Sequence, residues 1–321
     1  MKPVAKTTRP AADFSMTMQR SFKRVVRARG LLLLLLIPLV YVFIFNYLPI
    51  YGVTIAFKRF NIKQGILGSP WVGLYHFERF LSNPKFFDIL KNTVILSVYS
   101  LIAGFPIPIL LAIGITHMPN AAFRKTIQMT TYMPYFLSVV VMVALLSQLL
   151  SLRYGIFNRA LTELFGIPAI NFMGSAAAFR HVYVWSGVWQ SMGYGSVIYI
   201  SALSSVDPQL HEAAIVDGAT LLKRIRHIDI PSILPTVTIM LILSMGSLIS
   251  VGFEKTFLMQ FPTNLSVSEV IGTYVYRVGL ASARPDFSFG SAIGLFQNAI
   301  SFALVICANF ISRRVSDNGL W

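Results

Sequence analysis

Residues able to do chemistry are few in this 321-residue chain: 12 Asp and Glu against 27 Lys and Arg, five histidines and one cysteine. His76, His117, His181, His211 and His227 are scattered without metal-ligand spacing and read as solvated polar side chains. Cys307, alone and inside an apolar run, allows neither an intrachain disulfide nor a cysteine metal cluster. No GxxxxGK[ST] phosphate loop occurs, so nucleotide is not held in that way. The informative stretch is residues 204–231, SSVDPQLHEAAIVDGATLLKRIRHIDIP. Asp207 can cap free backbone amides, and Pro208 suits the first helical position. Leu210, Ala213, Ala214 and Val216 then give a short helix an apolar surface, and Asp217-Gly218 ends it. A second helix is expected from Ala219, with Leu221, Leu222, Ile225 and Ile228 apolar and Lys223, Arg224 and Arg226 opposite, until Pro231 opens the next apolar run. The chemistry on offer is helix-in-groove docking. Small alanines let a helix backbone approach a cleft, Glu212 supplies an orienting polar contact, and Gly218 permits the bend. An amphipathic helix lying on lipid headgroups would account for the basic residues but not for Gly218 and Pro231.

The elements that must position this elbow are membrane spans. The chain is 55% hydrophobic and 12% charged, with a mean hydropathy of +0.67. A soluble domain carries about 25% charged residues, and a disordered one has still fewer apolar residues. A spanning helix needs about 20 mainly apolar residues. Six runs qualify: 31–57, 92–116, 126–151, 181–203, 232–253 and 289–311. The expected fold is therefore an all-α integral membrane protein of six spans, with the elbow between spans four and five. No secretory signal is read at the start, because the first apolar run is too long and too late for one. In the first outer loop, Leu74, Phe77, Phe80 and Leu81 recur at helical spacing, which predicts a short helix on the membrane surface. No internal repeat or low-complexity tract is visible.

A formal charge of +15 would suggest nucleic acid in a soluble protein; here it reads as topology. Arg20, Lys23, Arg24, Arg27 and Arg29 precede the first span without an acid among them, which places the N-terminus in the cytoplasm. An even span count returns the C-terminus there, with Arg313 and Arg314 after the last span. The expected organisation is a basic cytoplasmic segment 1–30, a transmembrane domain 31–311 containing the loop 204–231, and a cytoplasmic tail 312–321. None of the six runs holds an Asp, Glu, Lys or Arg away from its ends. Such groups usually mark proton relays and ion sites. If energy drives this protein, it arrives from another chain.

Residues 204–231 resemble the EAA loop of binding-protein-dependent ABC importer permeases. That pattern is Glu-Ala-Ala, three residues, Gly, nine residues, then Ile-x-Leu-Pro. Glu212-Ala213-Ala214, Gly218 and Ile228-Asp229-Ile230-Pro231 fall at those spacings, with Ile230 in place of leucine. Trp71-Val72-Gly73-Leu74 with Phe77, and Lys91-Asn92-Thr93, are similar to the entry region of sugar-type permeases. Arg124, Pro134, Gly155 and Asn158 also fall where that family places them. Gly252-Phe253-Glu254-Lys255, 273–280 and Ala292-Ile293-Gly294-Leu295-Phe296 resemble the branch importing oligo- and polysaccharides, which includes the alginate importer of Gram-negative bacteria. The resemblance implies an ATPase-coupling role for Glu212, Ala213, Ala214, Asp217, Gly218, Ile228 and Pro231. It also implies a bacterial inner membrane location and three kinds of partner: a second permease, two ATPase subunits and an extracytoplasmic binding protein. ATP and Mg would be bound by those ATPase subunits, and this chain would hold no cofactor and catalyse nothing.

A saccharide has polar edges and apolar ring faces, so its path should offer aromatics, amides and hydroxyls. Trp185, Trp189, Gln190, Tyr194 and Tyr199 in the fourth run, and Gln297 and Asn298 in the sixth, are candidates. Trp189, Gln190, Tyr194 and Asn298 are the selected set, and Gln190 and Tyr194 share a helix face. Interior amides also serve as helix–helix partners, and Trp and Tyr as interface anchors. The outward loops are net basic, which would attract an acidic sugar or else lipid headgroups and a binding protein. The rival readings are an ion-gradient-driven secondary carrier of a small polar solute, and a membrane enzyme or scaffold of polysaccharide assembly.

Overall fold

The structure, a computed structural model, describes residues 29–316. The basic residues Arg20, Lys23, Arg24 and Arg27 and the tail after residue 316 lie outside the described residues. Within them everything regular is helical, and the one strand-like pairing is an isolated bridge between Lys58 and Trp71.

The first helix, α1 (Arg29–Phe57), tightens through a π-turn at Phe43–Tyr47 into 3-10 geometry from Leu48, next to Pro49, which has no amide to donate. Leu31 to Ile50 are exposed on every side. An apolar helix left bare all round belongs in lipid or against another subunit. Next come α2 (Tyr75–Leu81) and α3 (Phe86–Thr116), the latter 31 residues long and carrying Pro106 and Pro108. α2 does not simply lie on a membrane surface. Its Phe80 is 2% exposed and meets the rings of Phe86, Tyr274, Phe289 and Phe296, so the apolar spacing is used for core packing.

The run 126–151 is not one straight helix. α4 (Ala121–Phe136) and α5 (Val139–Leu149) meet at 101°. Pro134 sits in a closing 3-10 turn, and Ser138 caps α5 by accepting from the Val141 amide at 3.3 Å. After α6 (Ile156–Phe165), α7 (Ala176–Ser204) runs 29 residues and forms the centre of the molecule. α8 (Pro208–Val216) leads into α9 (Leu221–Gly246), a 26-residue rod containing a π-turn at Ile225–Asp229. The expected second elbow helix is therefore the start of α9, and Pro231 lies within the rod. The wider π-turn before it loosens the ladder where Pro231 has no amide to give. α10 (Phe253–Leu258), α11 (Ile271–Gly279) and α12 (Phe287–Ser316) complete the chain.

Of these, α1, α3, α9 and residues Phe287–Phe310 of α12 are long and apolar enough to cross a membrane, and α4 with α5 makes a fifth candidate as one bent pair. α7 is long enough, but its serines, glycines and polar aromatics keep it out of that apolar set. Three buried clusters hold the bundle together. Leu96, Met142, Phe179, Tyr183 and Val188 join α3, α5 and α7. Phe80, Phe86, Ile249, Tyr274 and Phe289 join α2, α3, α11 and α12. Ala112, Tyr199, Leu203 and Ile233 close the end of the bundle that carries α8.

Candidate functional site

The elbow is built by local rules. Asp207 accepts from the Gln209 amide at 2.9 Å, and Pro208 takes the first helical position of α8. At the other end the Gly218 amide donates to the Ile215 carbonyl at 3.0 Å and the Ala219 amide to the Ala214 carbonyl at 2.8 Å. These two bonds are a Schellman cap, which needs a left-handed residue just past the helix. Gly218 has φ +74° and supplies it. Of the predicted elbow residues, Glu212, Ala213, Asp217, Gly218 and Pro231 are exposed, while Ala214 and Ile228 are half-buried. Leu210, Ile215 and Val216 add apolar surface, Val216 being 87% exposed. α8 thus presents a surface that no other described residue covers. Glu212-Ala213-Ala214 and Gly218 share the elbow, whereas Ile228 and Pro231 stand on α9.

The path candidates divide differently. Gln190 donates to the Leu137 carbonyl at 2.9 Å, and Tyr194 stacks on Tyr135 with ring centroids 4.0 Å apart. Both therefore seat the α4–α5 bend on α7. Gly193, between them, lies so close to the Thr131 carbonyl that a side chain there would meet backbone. Gln297 likewise donates to the Ile249 carbonyl, 2.9 Å away and just past the end of α9. Both glutamines satisfy carbonyls that helix breaks have orphaned. Trp189 and Asn298 are exposed and are not brought together with the glutamines. Trp185 donates to the Tyr99 hydroxyl at 2.9 Å, which in turn meets His181 Nδ1 at 2.8 Å.

A groove that sequence reasoning missed runs between α3, α7 and α9. One part, about 240 Å³, is lined by Ser97, Ser100, Ser244, Ser247, Ser250 and Tyr183. A second part of about 250 Å³ shares Ser100 and Ser244 and adds Ser191, Gly195 and Tyr199. The Ser97 hydroxyl is buried without a hydrogen-bond partner. The sequence signal was available: serines at intervals of three at 97 and 100, and at 244, 247 and 250.

The histidine reading needs correction. His76 is 3% exposed, and its Nε2 donates to the Lys58 carbonyl at 3.1 Å. Burial holds its pKa below 6.5; Asp286 and the Lys58 carbonyl oppose that shift, and Arg79 and Arg59 reinforce it. His117 and His211 converge on Asp229, itself 2% exposed, at 2.7 and 3.3 Å. His181 and His227 remain exposed, His227 turned onto its own helix at the Lys223 carbonyl. A buried lysine was also missed. Lys255 is 8% exposed, donates to the Tyr183 carbonyl at 2.6 Å, and burial pushes its pKa down to about 7.

An all-helical membrane bundle with a polar groove and a protruding capped helix has the architecture of a transport subunit. The family profile of binding-protein-dependent transport system inner membrane components matches residues 104–317. The polygalacturonan/rhamnogalacturonan transport system permease protein YteP of Bacillus subtilis is 37% identical over 321 residues, covering 99% of both chains. Protein LplB of the same organism is 36% identical over 92% of each. A solved bacterial ABC transporter involved in import of the acidic polysaccharide alginate matches with a TM-score of 0.84 at 35% identity, over 92% of this chain and 99% of its own. The bacterial alginate ABC transporter in complex with an alginate pentasaccharide-bound periplasmic protein matches at 0.85 and 34%, over 94% and 100%. The chain belongs to this family of binding-protein-dependent inner membrane transport components and is a multi-pass protein of the bacterial inner membrane.

Proposed function

We propose that this chain is the permease half of an ATP-driven importer of oligo- or polysaccharides. The observation that carries the reading is α8, a helix capped at both ends whose Glu212 and Ala213 no other described residue covers. A short helix with so much bare apolar surface needs a cleft in another subunit. In this reading the cleft belongs to an ATPase subunit, which also binds ATP and Mg. The chain itself performs no covalent chemistry. The bent α4–α5 pair and α7 complete six spans, both termini lie in the cytoplasm, and α8 projects on that side. A second permease closes the path and an extracytoplasmic binding protein loads it.

The serine-lined groove suits a hydroxyl-rich ligand, since hydroxyls both donate and accept. The polygalacturonan/rhamnogalacturonan permease named above supports a saccharide, and the two alginate transporters support an acidic one. Part of the basic surface is already used within the chain. Arg79 pairs with Asp286 at 2.7 Å, Arg277 pairs with Glu269, and Lys255 is buried. Lys63, Lys85 and Lys91 remain exposed for an acidic ligand.

The test is co-purification from intact membranes. Glu212→Lys or Gly218→Leu is expected to weaken capture of the ATPase subunit and to uncouple ATP hydrolysis from sugar uptake, with insertion unchanged. Uptake that survives ATP depletion but needs a proton or sodium gradient would overturn the proposal.

A further inference from the structure

α8 is tethered to the bundle almost entirely by its two ends and one buried joint. Among the described residues it makes no extensive packing with any other helix, and most of its side chains are exposed. Its inward-facing polar group is His211, whose Nε2 lies 3.3 Å from Asp229 Oδ1. The second oxygen of the same carboxylate, Oδ2, receives His117 Nε2 at 2.7 Å. The two imidazoles meet edge to face, 5.8 Å between centroids. His117 caps the C-terminus of α3, His211 sits on the elbow, and Asp229 ends the π-turn inside α9. One carboxylate, 2% exposed, is thus met by side chains from two other elements: His117 Nε2 hydrogen-bonds one oxygen, and His211 Nε2 lies within ion-pair distance of the other, its Nδ1 being buried without a partner.

Such a site resists being opened. A carboxylate removed from water is tolerable only while its partners hold, and losing one partner leaves a charge that neither water nor protein satisfies. The flanking segments of α8 would otherwise let it swing on its own. Val206 and Asp207 are extended or turning, and Gly218 with Ala219 forms a non-helical link. A helix on two soft links would absorb a push by rotating about its ends. Pinned at His211, it instead passes the push to α3 and α9 together.

We propose that His117, His211 and Asp229 form the joint that makes the elbow, the inner end of α3 and the start of α9 move as one body. The histidines and Asp229 are positioning residues, acting through α8 rather than on any ligand. This rests on the reading of α8 as the ATPase-docking helix, and adds which groups carry the motion onward.

The experiment uses the assembled complex of both permeases, the ATPase subunits and the binding protein, reconstituted in vesicles. It reads sugar imported per ATP hydrolysed, normalised to assembled complex. His211→Ala and His117→Ala are each expected to lower that ratio by about tenfold, the scale on which residues along a coupling network act. ATPase co-purification should stay at wild-type level. His211→Gln and His117→Gln keep an N–H donor of similar reach and are expected to recover most of the ratio. A joint that only stabilised the fold would lower the yield of complex and leave the ratio per complex unchanged. That result, with the ATPase still captured, would overturn the joint alone. Failure of the wild-type elbow to capture any ATPase subunit would instead overturn the reading beneath it.

Discussion

Gly193→Ala is the sharpest test of how the bundle is assembled. A methyl group at 193 enters the Thr131 carbonyl and also lies 2.9 Å from the Tyr132 amide nitrogen. Both obstacles are backbone, so no flexible side chain can yield. Overpacking of this kind costs about 1–3 kcal/mol, and alanine returns about 1 kcal/mol of helix propensity over glycine. The clash also pushes away the bend that Gln190 and Tyr194 hold. The amide bond to Leu137 contributes about 0.6 kcal/mol in a membrane setting, and the Tyr135–Tyr194 stack about 0.5–1.5. A net loss of about 1–4 kcal/mol follows from these. Two glycines serve as internal controls. At Gly195 the new methyl group lies 3.3 Å from Pro108 Cγ, a tight but yielding contact, and the loss should stay within about 1 kcal/mol. At Gly114 nothing lies within 4 Å, so alanine should be neutral or stabilising by up to about 1 kcal/mol. The assay is thermal unfolding of purified protein in detergent, followed by tryptophan fluorescence with Trp185 and Trp189 on α7 itself. The expected order of melting temperature is Gly193→Ala lowest, then Gly195→Ala, wild type and Gly114→Ala. Gly193→Ala melting at or above wild type would refute the argument that α7 seats the bend by backbone contact.

Two further outcomes follow from named side chains. Asp207→Ala removes the cap of α8 and should lower its helix stability by about 1 kcal/mol, seen as faster amide exchange in 208–216 while the exchange of α9 stays unchanged. His76 is held neutral in the fold, its pKa lowered by burial, so its contribution to stability is full above pH 6.5 and is lost as pH falls through the lowered folded value. Melting temperature measured from pH 7.5 downwards should therefore fall more steeply for wild type than for His76→Gln, and parallel curves would count against the burial argument.

What could be read from the sequence was local. Asp207-Pro208 and Gly218 specify α8 through bonds that span two to five residues, so its start and end were legible to the residue. The α4–α5 bend was not. Pro134 announces a break, but the 101° direction comes from the surface offered by Gly193, Gln190 and Tyr194 on α7. The His117–Asp229 contact joins positions 112 residues apart, and no periodicity reports a contact of that kind. Scattered in sequence, the histidines looked solvated for that reason alone. Asn158 was noticed only by resemblance; it proves to be 2% exposed, with its amide tying the carbonyls of Leu150, Ser151 and Ile170.

Gln190 and Gln297 meet backbone carbonyls for a physical reason that applies to any broken-helix bundle. Each bend frees carbonyls that lipid cannot satisfy, and a nearby amide with two N–H donors is the natural answer. Gln190 and Gln297 are used in this way. Serine behaves differently. Ser191 donates to the Gly187 carbonyl at 2.9 Å and Ser244 to the Met240 carbonyl at 2.7 Å, each within its own helix. With their protons engaged along the helix, their lone pairs still face the groove as weak acceptors. Serines of the lining engaged in this way can meet a ligand hydroxyl without binding it tightly, and Ser97, buried without a partner, is the exception.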